Sequence, residues 1–191
     1  MKPPTGAEPT RRSPPTAAAR SRIPRRPWPP LEAPSVVIAP DGLAQIAHGF
    51  ERFVYLTTCL DSACTRSISR RVFSQQATID FVKIKMAVGA DGIPSIAFSG
   101  ANTAANSRTF FLRCLDADCA ATAPVRDFGA IGEVLAIQLA PIGAAQLLVR
   151  TINNGLRLHR CADAACTSDQ ASTVVTDGGL VVIPKGYVFA R

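Results

Sequence analysis

The stretch HRCADAAC, residues 159–166, places four residues between two cysteines, and the second of the four is an aspartate. The same arrangement occurs twice upstream, as TTCLDSAC over 57–64 and LRCLDADC over 112–119. Cys59, Cys64, Cys114, Cys119, Cys161 and Cys166 are the six cysteines of the chain, and all belong to these three copies of Cys-x-Asp-x-x-Cys. The offset is 55 residues from Cys59 to Cys114 and 47 from Cys114 to Cys161. A motif that takes up every cysteine at near-regular offsets marks a tandem repeat.

The flanks repeat as well. The first copy opens with SVVIAPDGLAQIAHG (35–49), continues as RFVYLTTCLDSAC (52–64) and leaves through SRRVFSQQ (69–76). The second runs VKIKMAVGADGIPSIAFSG (82–100), RTFFLRCLDADC (108–119) and TAPVRDFG (122–129), and the third EVLAIQLAPIGAAQLLVRT (133–151), GLRLHRCADAAC (155–166) and ASTVVTDGG (171–179). The difference in offset falls mostly on an insertion near GANTAANSR (100–108), a polar loop. The runs VVIA, KMAV and AIQLA are β-branched or aliphatic without helical spacing, so each predicts a strand. Asp41-Gly42 and Asp91-Gly92 follow the first two runs, and glycine accepts the positive φ that hairpin turns require. In the third copy Ile142-Gly143 replaces the pair, a weaker turn signal. AQIAH, PSIAF and AQLLV then read as second strands. The third strand enters the first cysteine and the fourth leaves the second. The expected fold is all-β, with four-stranded antiparallel repeats over about 35–80, 81–132 and 133–178 and a partial fourth, LVVIPKGYVFAR, within 179–191.

Paired cysteines in such a hairpin predict disulfides. Opposed residues of an antiparallel pair lie about 4.5–5.5 Å apart at Cα, within the range a disulfide spans. Closing so short a loop contributes roughly 2 kcal/mol, so three bonds add about 6 kcal/mol. That is comparable with the whole stability of a small domain, about 5–15 kcal/mol. Zinc sites favour Cys-x2-Cys pairs and four ligands, which the spacing here does not supply. Free thiols are the remaining reading. Asp61, Asp116 and Asp163 occupy one position of each turn, where a carboxylate accepts hydrogen bonds from N–H groups two or three residues on. A calcium ligand is the functional alternative, but no oxygen-rich loop accompanies them. Disulfides persist outside the cytosol, which predicts an extracytoplasmic or secreted chain.

The composition shifts near Ser35. Residues 1–34 hold ten of the fifteen prolines and carry seven basic against two acidic groups. Such a segment reads as a disordered Pro/Arg-rich tail. Within it, RIPRRPWPP (22–30) is either a proline-rich ligand or anionic-surface arm, or part of a solvated linker. It lacks the apolar run of a secretory signal. A start assigned too far upstream, membership in a longer exported protein, or a leaderless route reconciles this with the cysteines. The other 157 residues hold fourteen basic and twelve acidic groups, so the folded part is nearly neutral and speaks against a nucleic-acid partner. No run of 18 apolar residues exists, which argues against a membrane-spanning helix. Aromatics make up 6% of the chain, so the expected core is mainly aliphatic.

The order strand, Asp-Gly, strand, strand, Cys-x-Asp-x-x-Cys, strand resembles a repeat of roughly 50 residues found in bacterial exported proteins. GADGIPSIAF with CLDADC carries the resemblance best, and APDGLAQIAH with CLDSAC matches next. The third copy keeps CADAAC without the Asp of Asp-Gly. The resemblance implies blades of a β-propeller, and three and a part make an incomplete ring or an open array, since closed propellers need about four to eight. The sialidase-type Ser-x-Asp-x-Gly-x-x-Trp is absent; the one tryptophan is Trp28 in the tail.

Propellers host catalysts and binders alike. The only histidines are His48 and His159, both read as packing or surface residues, and no nucleophile-elbow, zincin or phosphate-loop pattern occurs. No cofactor or metal site is expected. The favoured reading is a non-catalytic module for binding or structural interaction, with self-association or a protein or glycan partner. A carbohydrate-active or other hydrolytic propeller, or a degenerate fragment of one, is the alternative, because scattered carboxylates suffice for glycoside hydrolysis.

Overall fold

The structure is a computed structural model that describes residues 34–50, 52–75, 80–101, 107–153 and 155–175. The expected tail up to residue 33 and the partial fourth repeat lie outside these residues. The described residues are all-β and form three four-stranded antiparallel sheets, none closed into a barrel. Sheet 1 contains β1 (Ser35–Ile38), β2 (Ala44–Phe50), β3 (Phe53–Cys59) and β4 (Ser67–Ser74). Sheet 2 contains β5 (Asp80–Val88), β6 (Pro94–Ala101), β7 (Arg108–Arg113) and β8 (Arg126–Asp127). Sheet 3 contains β9 (Glu133–Leu139), β10 (Ala145–Arg150), β11 (Leu156–Cys161) and β12 (Asp169–Val175). Each is a meander with strands in chain order, and β5 takes in Asp80 at the edge of the first expected repeat.

The first turn of every sheet has one geometry. Gly42 N–H donates to Ala39 O, Gly92 N–H to Gly89 O and Gly143 N–H to Ala140 O, at 2.9, 3.0 and 2.8 Å. The three glycines have φ of 83°, 75° and 78°, the left-handed region that a side chain resists. Asp41 and Asp91 each accept the N–H two residues on, from Leu43 and Ile93. Ile142 offers no such acceptor, yet the third turn forms the same backbone bond. Glycine is therefore the requirement, and the aspartate an addition.

The sheets stack face to face, and the period of two along each strand decides which residue meets which neighbour. On sheet 2, Ile96, Phe98, Phe110 and Leu112 face sheet 1 and pack on Ala47, Val54 and Leu56. Ala97 and Phe111 point the other way, onto Val134, Leu147 and Val149 of sheet 3. Sheet 2 is thus covered on both faces, and β6 is buried from Pro94 to Gly100. The first joint is more aromatic than the composition predicts. Phe73, Phe98 and Phe110 gather there, with centroids 4.8 Å apart for Phe73–Phe98 and 5.4 Å for Phe98–Phe110. A scarce residue type has been concentrated where two sheets meet.

Contacts between sheets come mainly from first and second strands: β1 and β2 on β5, and β5 and β6 on β9. The outer strands stand further from the next sheet. The three sheets consequently form an open, blade-like fan.

Candidate functional site

The cysteines are bonded within each copy: Cys59–Cys64, Cys114–Cys119 and Cys161–Cys166, with Cα separations of 4.9, 4.9 and 4.7 Å. Their local geometry departs from the expected hairpin. The strand partner of Cys59 is Ser67, that of Cys161 is Asp169, and Cys114 bridges to Thr122. The second cysteine lies inside the loop rather than on the fourth strand. It comes close because the backbone doubles back. The N–H groups of Cys64, Cys119 and Cys166 donate to the carbonyls of Asp61, Asp116 and Asp163, and these three cysteines have φ of 53°, 55° and 55°. They are the only non-glycine residues at positive φ among the described residues.

The aspartates reach further than expected, to the residue four on. Asp61 accepts from Thr65 N–H at 2.9 Å and Thr65 Oγ1–H at 2.8 Å, and also from Arg66 N–H. Asp116 accepts from Ala120 N–H at 2.7 Å. Asp163 accepts from the N–H and the hydroxyl of Thr167. The turn contains a left-handed residue, which moves the next free N–H groups toward the carboxylate. These bonds hold the Asp61 and Asp163 carboxyls below the ordinary range, the Thr65 N–H acting first on Asp61 and the Thr167 hydroxyl first on Asp163.

The disulfides lie on one face of each sheet, here called the front. In sheets 2 and 3 the front meets the preceding sheet, and Cys119 and Cys166 are 4% and 0% exposed. Among the described residues no sheet precedes sheet 1, and there Cys64 is exposed while Cys59 is buried. Strand register puts Val36, Ile38, Ile46, His48, Phe50, Phe53, Tyr55 and Thr57 on this open front, with Arg71 opposite Tyr55. Val36 and Ile38 are 56% and 63% exposed. His48 stacks on Tyr55 at 5.4 Å, and Arg52 and Arg71 both lie over the Phe53 ring, at 5.3 and 5.2 Å. Burial against Tyr55 and its neighbours lowers the pKa of His48. The sequence names His48 but not this surface. The repeat carries the missing signal: Ile46 and Tyr55 stand where Ile96 and Phe110 enter the first joint.

His159 is at the second joint. Its Nδ1 lies 2.8 Å from Asp169 Oδ2, Phe128 meets its ring edge-on, and Asp169 also accepts from Arg126 at 3.1 Å. At 5% exposure it is a packed residue bonded to a carboxylate. A cleft between the turns of sheets 2 and 3 is lined by Asp91, Arg113, Leu139 and Ile142. Arg113 there donates to Ser95 and to Asp91 at 3.1 and 2.6 Å. Every acidic side chain the structure describes is similarly engaged. Asp118 pairs with Arg70, Asp127 with Arg108, Glu133 with Arg150, and the rest bind turn N–H groups, Arg126 or His159.

Among the described residues, no group of three or more His, Cys, Asp or Glu is placed to hold a metal ion. No helix among them is long and apolar enough to cross a membrane. No protein-family model matches the chain, and no curated protein matches it.

Proposed function

We propose that the chain is an extracytoplasmic repeat module of β-propeller type that works by binding rather than by catalysis. One observation carries the reading. The front of sheet 1 offers to solvent the side-chain positions by which sheets 2 and 3 bind their neighbours. An exposed patch of aromatic, aliphatic and arginine side chains on a rigid sheet is a binding surface by composition. The fan of sheets, with first strands closest, supports the propeller form. The three disulfides support an oxidising compartment. The described carboxylates are held in ion pairs and turns, rather than converging in one cleft as glycoside hydrolysis requires.

Two measurements test this. Intact mass after alkylation, with protein from its native compartment, is expected to show no free thiol until reductant is added. A panel of chromogenic glycosides is expected to give no turnover. Turnover abolished by replacing a single acid, for example Asp127→Asn, would overturn the binding assignment.

A further inference from the structure

One pair position, on the second and third strands of each sheet, is filled differently at the two joints. At the first joint Gln45, opposite Thr58, reaches across, and its Nε2 donates at 3.0 Å to Ala117 O in the cysteine turn of sheet 2. At the second joint the corresponding pair is Ser95 opposite Arg113, so the short and the long side chain have changed strands. The Arg113 guanidinium lies against the first turn of sheet 3. A methyl group on Gly143 would be 3.8 Å from its Nη2 and 3.5 Å from the Cβ of Ala164, the counterpart of Ala117. Its described bonds stay within its own sheet, to Ser95 Oγ at 3.1 Å and Asp91 Oδ2 at 2.6 Å. A guanidinium carries five N–H groups, and these bonds use two. Arg113 also lines the cleft between the turns, together with Asp91, Leu139, Pro141 and Ile142. The cleft has a volume of about 640 Å³, within the range of small-molecule sites.

We propose that this cleft binds a neutral, hydroxyl-rich ligand, a pyranose sugar, on the Arg113–Asp91 pair. Three features select that chemistry. Arg113 is 8% exposed, so packing already holds its fork in place and binding costs little further ordering. The Asp91 carboxylate, half-exposed at the rim, offsets the guanidinium charge, and among the described residues the lining holds no other charged side chain. An anionic ligand would meet that carboxylate. A sugar hydroxyl instead accepts from Arg113 and donates to Asp91. Leu139, Pro141 and Ile142 give an apolar wall for the C–H face of the ring, with Ile142 76% exposed. One carboxylate tied to a guanidinium binds a glycoside without hydrolysing it, since hydrolysis uses a pair. The site is separate from the open front of sheet 1.

The test is amide NMR of the full oxidised chain, titrated with the methyl pyranosides of glucose, galactose, mannose and N-acetylglucosamine. Acetate and inorganic phosphate are titrated separately at matched ionic strength. At least one glycoside is expected to shift the amides of Asp91, Ile142 and Gly143 saturably, with a Kd of about 1 mM. Asp91→Asn keeps a side-chain oxygen for the Ile93 N–H and is expected to weaken that binding about tenfold. Arg113→Lys, which loses the fork, is expected to do the same. Asp41→Asn, the same change in the first turn of sheet 1, is expected to leave binding unchanged. No saturable shift with any of the glycosides overturns the inference. So does an Asp91→Asn variant, folded by circular dichroism, that binds as the wild type does. Stronger saturation by acetate or phosphate also overturns it and makes the cleft an anion site. Shifts confined to His48 and Tyr55 overturn it too, yet uphold the open front as the binding surface, so the two readings fail separately.

Discussion

Asp61, Asp116 and Asp163 hold one turn with unequal numbers of hydrogen bonds. Asp61 accepts three beyond its backbone bond, Asp163 two and Asp116 one. Replacement by alanine is therefore expected to lower the urea midpoint most at Asp61 and least at Asp116. Because the Asp61 and Asp163 carboxyls are held below their ordinary 3.8, the unfolded chain takes up these protons first as pH falls. Their contribution is complete well above that value and is lost below it. Urea midpoints between about pH 5 and pH 2 are expected to fall, and Asp61→Asn to flatten that fall. The second cysteine of each turn bears a different cost. A side chain in the left-handed region costs roughly 1–2 kcal/mol, which glycine avoids. The double variant Cys59→Ala/Cys64→Gly is accordingly expected to be about 1 kcal/mol more stable than Cys59→Ala/Cys64→Ala in chemical denaturation. Equal stability would mean that the φ of 53° at Cys64 carries no strain.

At the scale of the element, the first turns and strands are legible in the sequence. Positive φ has a residue signature, and the alternation of side chains has a period. The cysteine turn is legible as a pair but not as a shape, since the spacing alone does not say that the second cysteine turns left-handed before β4 or β12 begins. The link between sheets 2 and 3 shows a further limit. Gly132 has φ of 123°, and its carbonyl accepts from Ser107 Oγ and Thr109 Oγ1 at 3.0 and 2.7 Å. Ser99 Oγ accepts from Val134 N–H at 2.7 Å. These buried hydroxyls replace backbone partners where the chain crosses between sheets. Among the described residues they occur in one copy, so repetition does not reveal them. A methyl group on Gly132 would run into the carbonyl of Arg150. Gly132→Ala is expected to cost about 2 kcal/mol or more by thermal denaturation, whereas Gly129→Ala, at positive φ but in open space, is expected to cost less.

Across the whole molecule, position in the stack decides what the same register position contributes. Phe98 is fully buried between sheets 1 and 2, while His48, its equivalent in sheet 1, lies on the open front. Phe98→Ala is expected to cost about 3–5 kcal/mol and to loosen the joint between sheets 1 and 2, where Phe98 is packed. His48→Ala is expected to leave the folded monomer nearly unchanged. Repeat number and sheet count are legible from the sequence because the motif recurs. Which face of which sheet stays open depends on the stacking order, and that emerges only when the strands are placed. The arrangement as a whole requires each repeat to be clasped on itself. Mass spectrometry of peptides cut from the unreduced protein reads this directly. Linked pairs 59–64, 114–119 and 161–166 and no others are expected. A bond between copies, such as Cys64 to Cys114, would contradict the stacked, separately clasped sheets.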